Sequence, residues 1–337
     1  MIAITKNSDS KITVEKGHKR VTGIDLFSGC GGFSLGLMRA GIEVLGAVEI
    51  DPGAACTYVY NLADSSCKMH FVEEENKNNW GKFLEDENKR AQKIKTETGY
   101  DFSFKYGGGW ISREPQTAGV KHFWLGDIQK ISGKEILDAL GVEQGKIDIL
   151  LGGPPCQGFT IVNSNRSTED PRSKLMWQFI RIVKEIQPRY FVIENVPGLL
   201  TYKDFFKLLI LSLEQCGYTV RFNLMDACSY GVPQRRLRVF IEGGRSDTNI
   251  IPTFPSPENF DLSKERKGSM IPVSLVAKKC FAVHGFTHDE VCDVYVNSKF
   301  NIAMNKKTAA EKVDQAVNEI IIEICTKMLE SKNVKAG

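Results

Sequence analysis

The sequence predicts an α/β protein: a doubly wound, mostly parallel seven-stranded sheet with a small accessory region after it. Three observations carry this. Apolar runs of strand length recur, stretches with helical spacing lie between them, and a Gly-rich turn follows the first run. The runs are VTGIDLF (21–27), EVLGAVEI (43–50), HFWLGD (122–127), IDILLGG (147–153), RYFVIENV (189–196), YTVRFNLMDA (218–227) and LRVFIEG (237–243). Residues 33–40, 173–186 and 204–216 read as helices; in the second, Leu175, Phe179, Ile182, Val183 and Ile186 share one face. Pro188 and Gly217 punctuate the last two helices. The final two strands are joined by the short polar turn YGVPQRR, which predicts a hairpin at the sheet edge.

Three regions interrupt the alternation. Residues 1–19 are polar and expected to fray. Residues 64–121 carry dense mixed charge, too long for an ordinary connection, and read as an insertion within a catalytic domain of residues 20–243. Trp80 and Trp110 stand there among Lys and Arg, where they are placed to stack on bases. Residues 244–305 read as a reduced accessory region, irregular at first. A C-terminal helix follows over 306–331, with Val313, Val317, Ile320, Ile324 and Met328 on one stripe that packs back on the catalytic domain.

Bulk composition narrows the class. The 337 residues are 42% hydrophobic and 25% charged, with a net charge of +3, which permits a nucleic-acid partner without requiring one. No apolar run reaches the ~20 residues of a membrane span, and the N-terminus lacks a signal-peptide pattern. Nine scattered cysteines with no C-x-x-C spacing point to reduced thiols, without a disulfide framework or a metal site. The expected location is the cytoplasm, with nucleoid association if the source is prokaryotic or phage.

The first strand runs into SGCGG. Gly29, Gly31 and Gly32 let the backbone approach a ligand closely. Glu49, twenty positions after Gly29 at the end of the next strand, is placed to accept from ribose hydroxyls, and Asp51 follows it. A dinucleotide and a sulfonium nucleoside both fit this pattern, although the glycines depart from G-x-G-x-x-G and the turn holds no Lys or Arg for a pyrophosphate. Asp127 ends a third strand at the same edge.

GGPPCQGFT (152–160) places a thiol after two prolines at the end of a strand. Pro154 and Pro155 each fix a φ angle, so the direction of Cys156 is set. The next strand ends in Glu194 and Asn195, and the hairpin turn supplies Gln234, Arg235, Arg236 and Arg238. A nucleophile, an acid and guanidinium groups therefore share one edge of the sheet.

This set resembles the DNA (cytosine-5) methyltransferase family. DLFSGCGGF is similar to its cofactor loop, GGPPCQGF to its nucleophile loop, ENVPGL to its glutamate motif and QRRLRVFI to its arginine motif, in the family's order over residues 21–243. DPRSKL (170–175) resembles the segment after the nucleophile loop. The resemblance implies a Rossmann-like S-adenosylmethionine-dependent fold. It also implies S-adenosyl-L-methionine as cofactor, S-adenosyl-L-homocysteine as product, no metal, and double-stranded DNA as partner. Methyl transfer to C5 of a flipped-out cytosine would proceed through an adduct between Cys156 and C6, with Glu194, Arg236 and Arg238 as the other catalytic residues. The implied cofactor contacts are Phe27, Ser28, Gly29, Gly31, Gly32, Glu49, Ile50, Asp51, Asp127, Ile128 and Pro154. Gln157, Gly158, Asn195 and Gln234 would contact the substrate. Toward the C-terminus the pattern departs: Gly285-Phe286 match, while Asp314-Gln315 stand where the family has Gly-Asn. RNA as substrate and a non-catalytic DNA-binding regulator remain open, as does a second subunit or a cognate restriction enzyme as partner. With few cations in 244–272, among them Arg245, the insertion is expected to supply DNA contacts.

Overall fold

The computed structural model describes residues 20–99, 103–155, 174–230, 232 and 234–256. The expected frayed segment, most of the accessory region and the C-terminal helix lie outside these residues, as do Cys156, Gln157 and Gly158.

Among the described residues, eight strands form one sheet in the order β3-β4-β2-β1-β5-β6-β8-β7. They are β1 (Thr22–Leu26), β2 (Glu43–Glu49), β3 (Ala63–Phe71), β4 (Val120–Leu125), β5 (Ile149–Gly152), β6 (Tyr190–Asn195), β7 (Tyr218–Asp226) and β8 (Leu237–Arg245). All neighbours pair in parallel except around β8, which runs antiparallel to both β6 and β7. The expected edge hairpin is present, and the seven expected strands form. The eighth, β3, comes from the segment read as an insertion and extends the main sheet beside β4.

Among the described residues, six α-helices connect the strands: α1 (Gly32–Arg39), α2 (Pro52–Leu62), α3 (Glu74–Thr98), α4 (Gly133–Leu140), α5 (Lys174–Ile186) and α6 (Lys203–Gln215). They cover both faces, which is why the inner strands are apolar at nearly every position. On one face Ile24, Leu26, Leu150, Phe191 and Ile193 pack with Ile136 of α4, Phe179 and Val183 of α5 and Leu209 of α6. On the other, Val44, Ala47, Phe123, Ile149 and Leu151 pack with Leu37 of α1, Tyr58 of α2 and Trp80 of α3. Strand alternation sends neighbouring residues into the two cores.

Trp80 is a correction to the sequence reading. Only 4% of it is exposed, and its ring meets Phe104 edge-on at 6.1 Å, so it is core and cannot stack on a base. Trp110 is half-buried against the same core. Arg245 is likewise removed from the candidate DNA contacts: it sits at the far end of β8, where its guanidinium bonds Asp247 and the carbonyls of Gly145 and Gln187. No helix among the described residues is long and apolar enough to cross a membrane.

Candidate active site

The strand order reverses direction at β1, which has β2 on one side and β5 on the other. Open α/β sheets form their ligand crevice outside the carboxyl ends of the strands at such a point. Here a cavity of about 250 Å³ opens there, lined by Phe27, Val48, Glu49, Ile50, Gly126, Asp127, Ile128, Gly153, Pro155 and Leu175.

The turn from β1 into α1 has left-handed backbone at Phe27 (φ 54°), Gly29 (φ 52°) and Gly31 (φ 93°). Gly31 admits no side chain, since a methyl would lie 2.5 Å from Leu62 and 2.8 Å from Tyr58. At Gly29 and Gly32 nothing among the described residues stands within 4 Å of an added methyl, so their packing does not account for Gly32. Glu49 holds the turn: one carboxylate oxygen accepts from Gly29 N–H at 2.7 Å, the other from Ile50 and Asp51 N–H, each at 2.9 Å. Three backbone donors thus fix a carboxylate on the cavity wall.

Beneath the turn lies Asp25, which is fully buried. Its Oδ2 accepts from Ser34 N–H at 3.2 Å and Ser34 Oγ–H at 2.7 Å, and Ser34 Oγ is 2.6 Å from Tyr58 Oη. Burial pushes the Asp25 carboxyl up to about 7, against the lowering effect of the Ser34 hydrogen bonds. Among the described residues, Asp25 Oδ1 and the buried Ser28 Oγ have no hydrogen-bond partner.

Asp127 lines the cavity while accepting from Gln129 N–H at 2.9 Å. Asp51 does not line it: its carboxylate caps α2 through Ala54 N–H at 2.7 Å. Of the eleven expected cofactor residues, Phe27, Glu49, Ile50, Asp127 and Ile128 lie on the cavity wall. Val48, Gly126, Gly153, Pro155 and Leu175 were not anticipated there; the first two sit at the ends of β2 and β4, where strand-end position alone would have found them.

Glu194, at the end of β6, faces the β7–β8 hairpin. Its Oε1 is 2.9 Å from Arg238 Nε and 3.6 Å from Arg236 Nη2. Asp226, missed in the sequence reading, anchors that hairpin by accepting from Arg236 N–H at 2.9 Å and Cys228 N–H at 3.4 Å. Asn195 departs from its expected role. It is 3% exposed, and its amide donates to the Pro154 carbonyl at 3.0 Å while Oδ1 accepts from Val196 N–H at 2.8 Å. It ties the glutamate strand to the proline loop instead of facing a substrate. Gln234 is exposed.

The two halves meet at Gly153. This residue lines the cavity, and a methyl on it would lie 3.4 Å from Glu194 Oε2. The next residues are Pro154, Pro155 and Cys156.

A family profile described as C-5 cytosine-specific DNA methylase matches residues 21–93 and 118–332. The chain belongs to this family. It is 33% identical over 247 residues to the type II methyltransferase M.FnuDI of Fusobacterium nucleatum, covering 72% of this chain and 52% of the relative. It is 29% identical over 242 residues to the type II methyltransferase M.XorII of Xanthomonas oryzae pv. oryzae, covering 71% and 43%. The chain thus spans about half the length of these relatives. Against the type II methyltransferase M.AquIA of a Picosynechococcus species the identity is 28% over 254 residues, covering 72% and 79%. A solved E. coli structure, described as a prophage-encoded DNA modification methyltransferase, is 26% identical with a TM-score of 0.46, covering 69% of this chain and 49% of that one.

Proposed function

We propose that this protein methylates carbon 5 of cytosine in DNA, with S-adenosylmethionine as the donor. The observation that carries the reading is the convergence at Gly153 of a nucleoside-sized cavity, the Glu194–Arg238 pair and the loop leading into Cys156. The family's description as a DNA methylase supports DNA over RNA.

The cavity residues suit the cofactor. Phe27, Val48, Ile128 and Leu175 provide apolar walls for a flat base, and Ile50, 59% exposed at the rim, offers an uncovered apolar side chain to it. Glu49, prealigned by three backbone N–H groups, is assigned to the ribose hydroxyls, and Asp127 to the base edge. The buried Ser28 Oγ, without a hydrogen-bond partner among the described residues, places a polar group in the glycine turn for a ligand to meet. When bound, the group supplies a methyl on a sulfonium, for which the activated ring carbon is the acceptor.

The chain's own residues do the activation. The Cys156 thiolate adds to C6 of the base, forming a C–S bond and moving the C5–C6 electron pair to C5. Glu194 engages N3 and offsets the charge that builds in the ring. Arg238 and Arg236 hold Glu194 in place and present cations to the base carbonyl or a phosphate. After methylation, loss of the C5 proton and cleavage of the C–S bond restore the aromatic ring. Access to a base in a duplex requires that it be flipped from the stack.

The test is a trap. DNA containing 5-fluorocytosine cannot lose a C5 proton, so the wild type with donor should form a covalent complex and Cys156→Ser should not. Near-normal turnover by Cys156→Ser would overturn the mechanism; transfer to RNA alone would replace the substrate.

A further inference from the structure

We propose that Arg181 is a positioning residue for the cofactor, acting through the backbone of the cavity wall. The proposal rests on the reading of the cavity as the S-adenosylmethionine site. The wall at issue is the connection from β4 to α4, whose Asp127 and Ile128 face the cavity. Arg181, on α5, reaches this connection from behind. Its Nη2 donates to the carbonyls of Ile128 at 2.8 Å and Ile131 at 2.9 Å. Its Nη1 donates to both oxygens of Glu185, each at 3.0 Å, and Nε donates to Gln178 Oε1 at 2.7 Å. Glu185, one helical turn on, accepts from Gly133 N–H at 2.5 Å. The guanidinium fork is therefore aimed by two neighbours on its own helix and spends its other edge on two wall carbonyls.

The opposite side of the wall has no play. Gly126 lies against the insertion, where a methyl would fall 2.5 Å from Val72 and 2.8 Å from Asn76. Val72 N–H also donates to the Leu125 carbonyl at 3.2 Å. Contact between α4 and α5 is already made by Ile136, Leu137, Ile182 and Ile186 in the apolar core. What Arg181 adds to that packing is the placement of residues 128–131. Lysine cannot reproduce it, because one ammonium cannot serve two carbonyls and a carboxylate in a fixed plane.

Calorimetric binding of S-adenosylhomocysteine to the full chain is the direct test, alongside steady-state kinetics. Arg181→Ala should weaken binding by about tenfold or more, the loss expected for charge-assisted hydrogen bonds, and Arg181→Lys by less. KM for the donor should rise with it, while kcat and KM for DNA stay near wild type. Ile182→Val, which loosens the same helix in the core, controls for general destabilisation. If wild type itself fails to bind, the cofactor reading falls. If wild type binds and both Arg181 variants bind equally well, the positioning role falls. It falls too if Ile182→Val, compared at equal loss of Tm, weakens binding as much.

Discussion

Two carboxylates sit on the two halves of this sheet edge, and the same chemical group is put to opposite use. Asp25, under the glycine turn, is fully buried and is held by a serine; its carboxyl is pushed up to about 7. Glu194, at the end of β6, keeps 22% of its side chain exposed and faces two guanidinium groups. Both lie on strands feeding one crevice, so strand position does not separate them; neighbours and water do. The turn half is preformed from backbone: Glu49 consumes three N–H groups, and two glycines adopt left-handed conformations. The hairpin half is built from long side chains paired across strands, with Asp226 holding their backbone. The first arrangement suits holding a ligand in one pose. The second suits responding to charge that appears during a reaction.

The largest effect should come from Glu194→Gln. Glutamine keeps the shape and loses the negative charge that pairs with Arg238 and Arg236. Turnover on DNA should fall by ~10²-fold or more, the usual share of acid–base catalysis, with little change in affinity for S-adenosylhomocysteine. Weakened cofactor binding at an undiminished single-turnover rate would place Glu194 in the other half.

Two adjacent glycines sharpen the turn half. Gly31→Ala combines a left-handed φ of 93° with a methyl 2.5 Å from Leu62, so it should cost roughly 2–4 kcal/mol of stability by denaturant titration. Gly32→Ala meets nothing among the described residues within 4 Å and should leave stability unchanged within ~0.5 kcal/mol. Its open side is assigned to the ligand, so S-adenosylhomocysteine should bind it more weakly. Full affinity in Gly32→Ala would remove that residue from the site, and an unchanged Tm in Gly31→Ala would contradict the packing.

Both the sheet and the motif order were legible because inner strands must be apolar on both faces. β3 was hidden by the opposite cause. It is an edge strand, ADSSCKMHF, with Ser65, Ser66 and Lys68 exposed, so it carries no apolar run. α3 was hidden by charge: over its 25 residues the apolar side chains turned toward the core include just a scattered set, Trp80, Phe83, Leu84 and Ala91. α2 and α4 had readable starts, Asp51-Pro52 in one and the Ser132/Glu135 capping box in the other, which apolar spacing alone overlooks. In the site, residue type was legible but direction was not. Asn195 and Asp51 have the right chemistry for ligand contacts and spend it on backbone. Arg181 shows the reverse, since an arginine inside a helix gives no hint that it grips a loop about fifty residues earlier in the chain.

A prediction on pH dependence tests Asp25 as the inward-facing acid. An unfolded aspartate titrates near 3.8, and burial raises the folded value to about 7. Well below pH 3.8 both states hold the proton, so the group contributes no pH-dependent cost. Between pH 4 and 7 the unfolded chain releases its proton while the folded protein retains it, so stability falls as pH rises; above 7 the loss levels off. Asp25→Asn removes this titration and keeps a side-chain oxygen for the Ser34 donors. Its absolute stability also carries the burial of an amide, so the informative quantity is the change with pH. Denaturant titrations at pH 4.5 and pH 8 should show the stability difference moving in the variant's favour by a few kcal/mol at most. Parallel curves for the two proteins would mean that Asp25 titrates as it does in water. Its contrast with Glu194 would then rest on location alone.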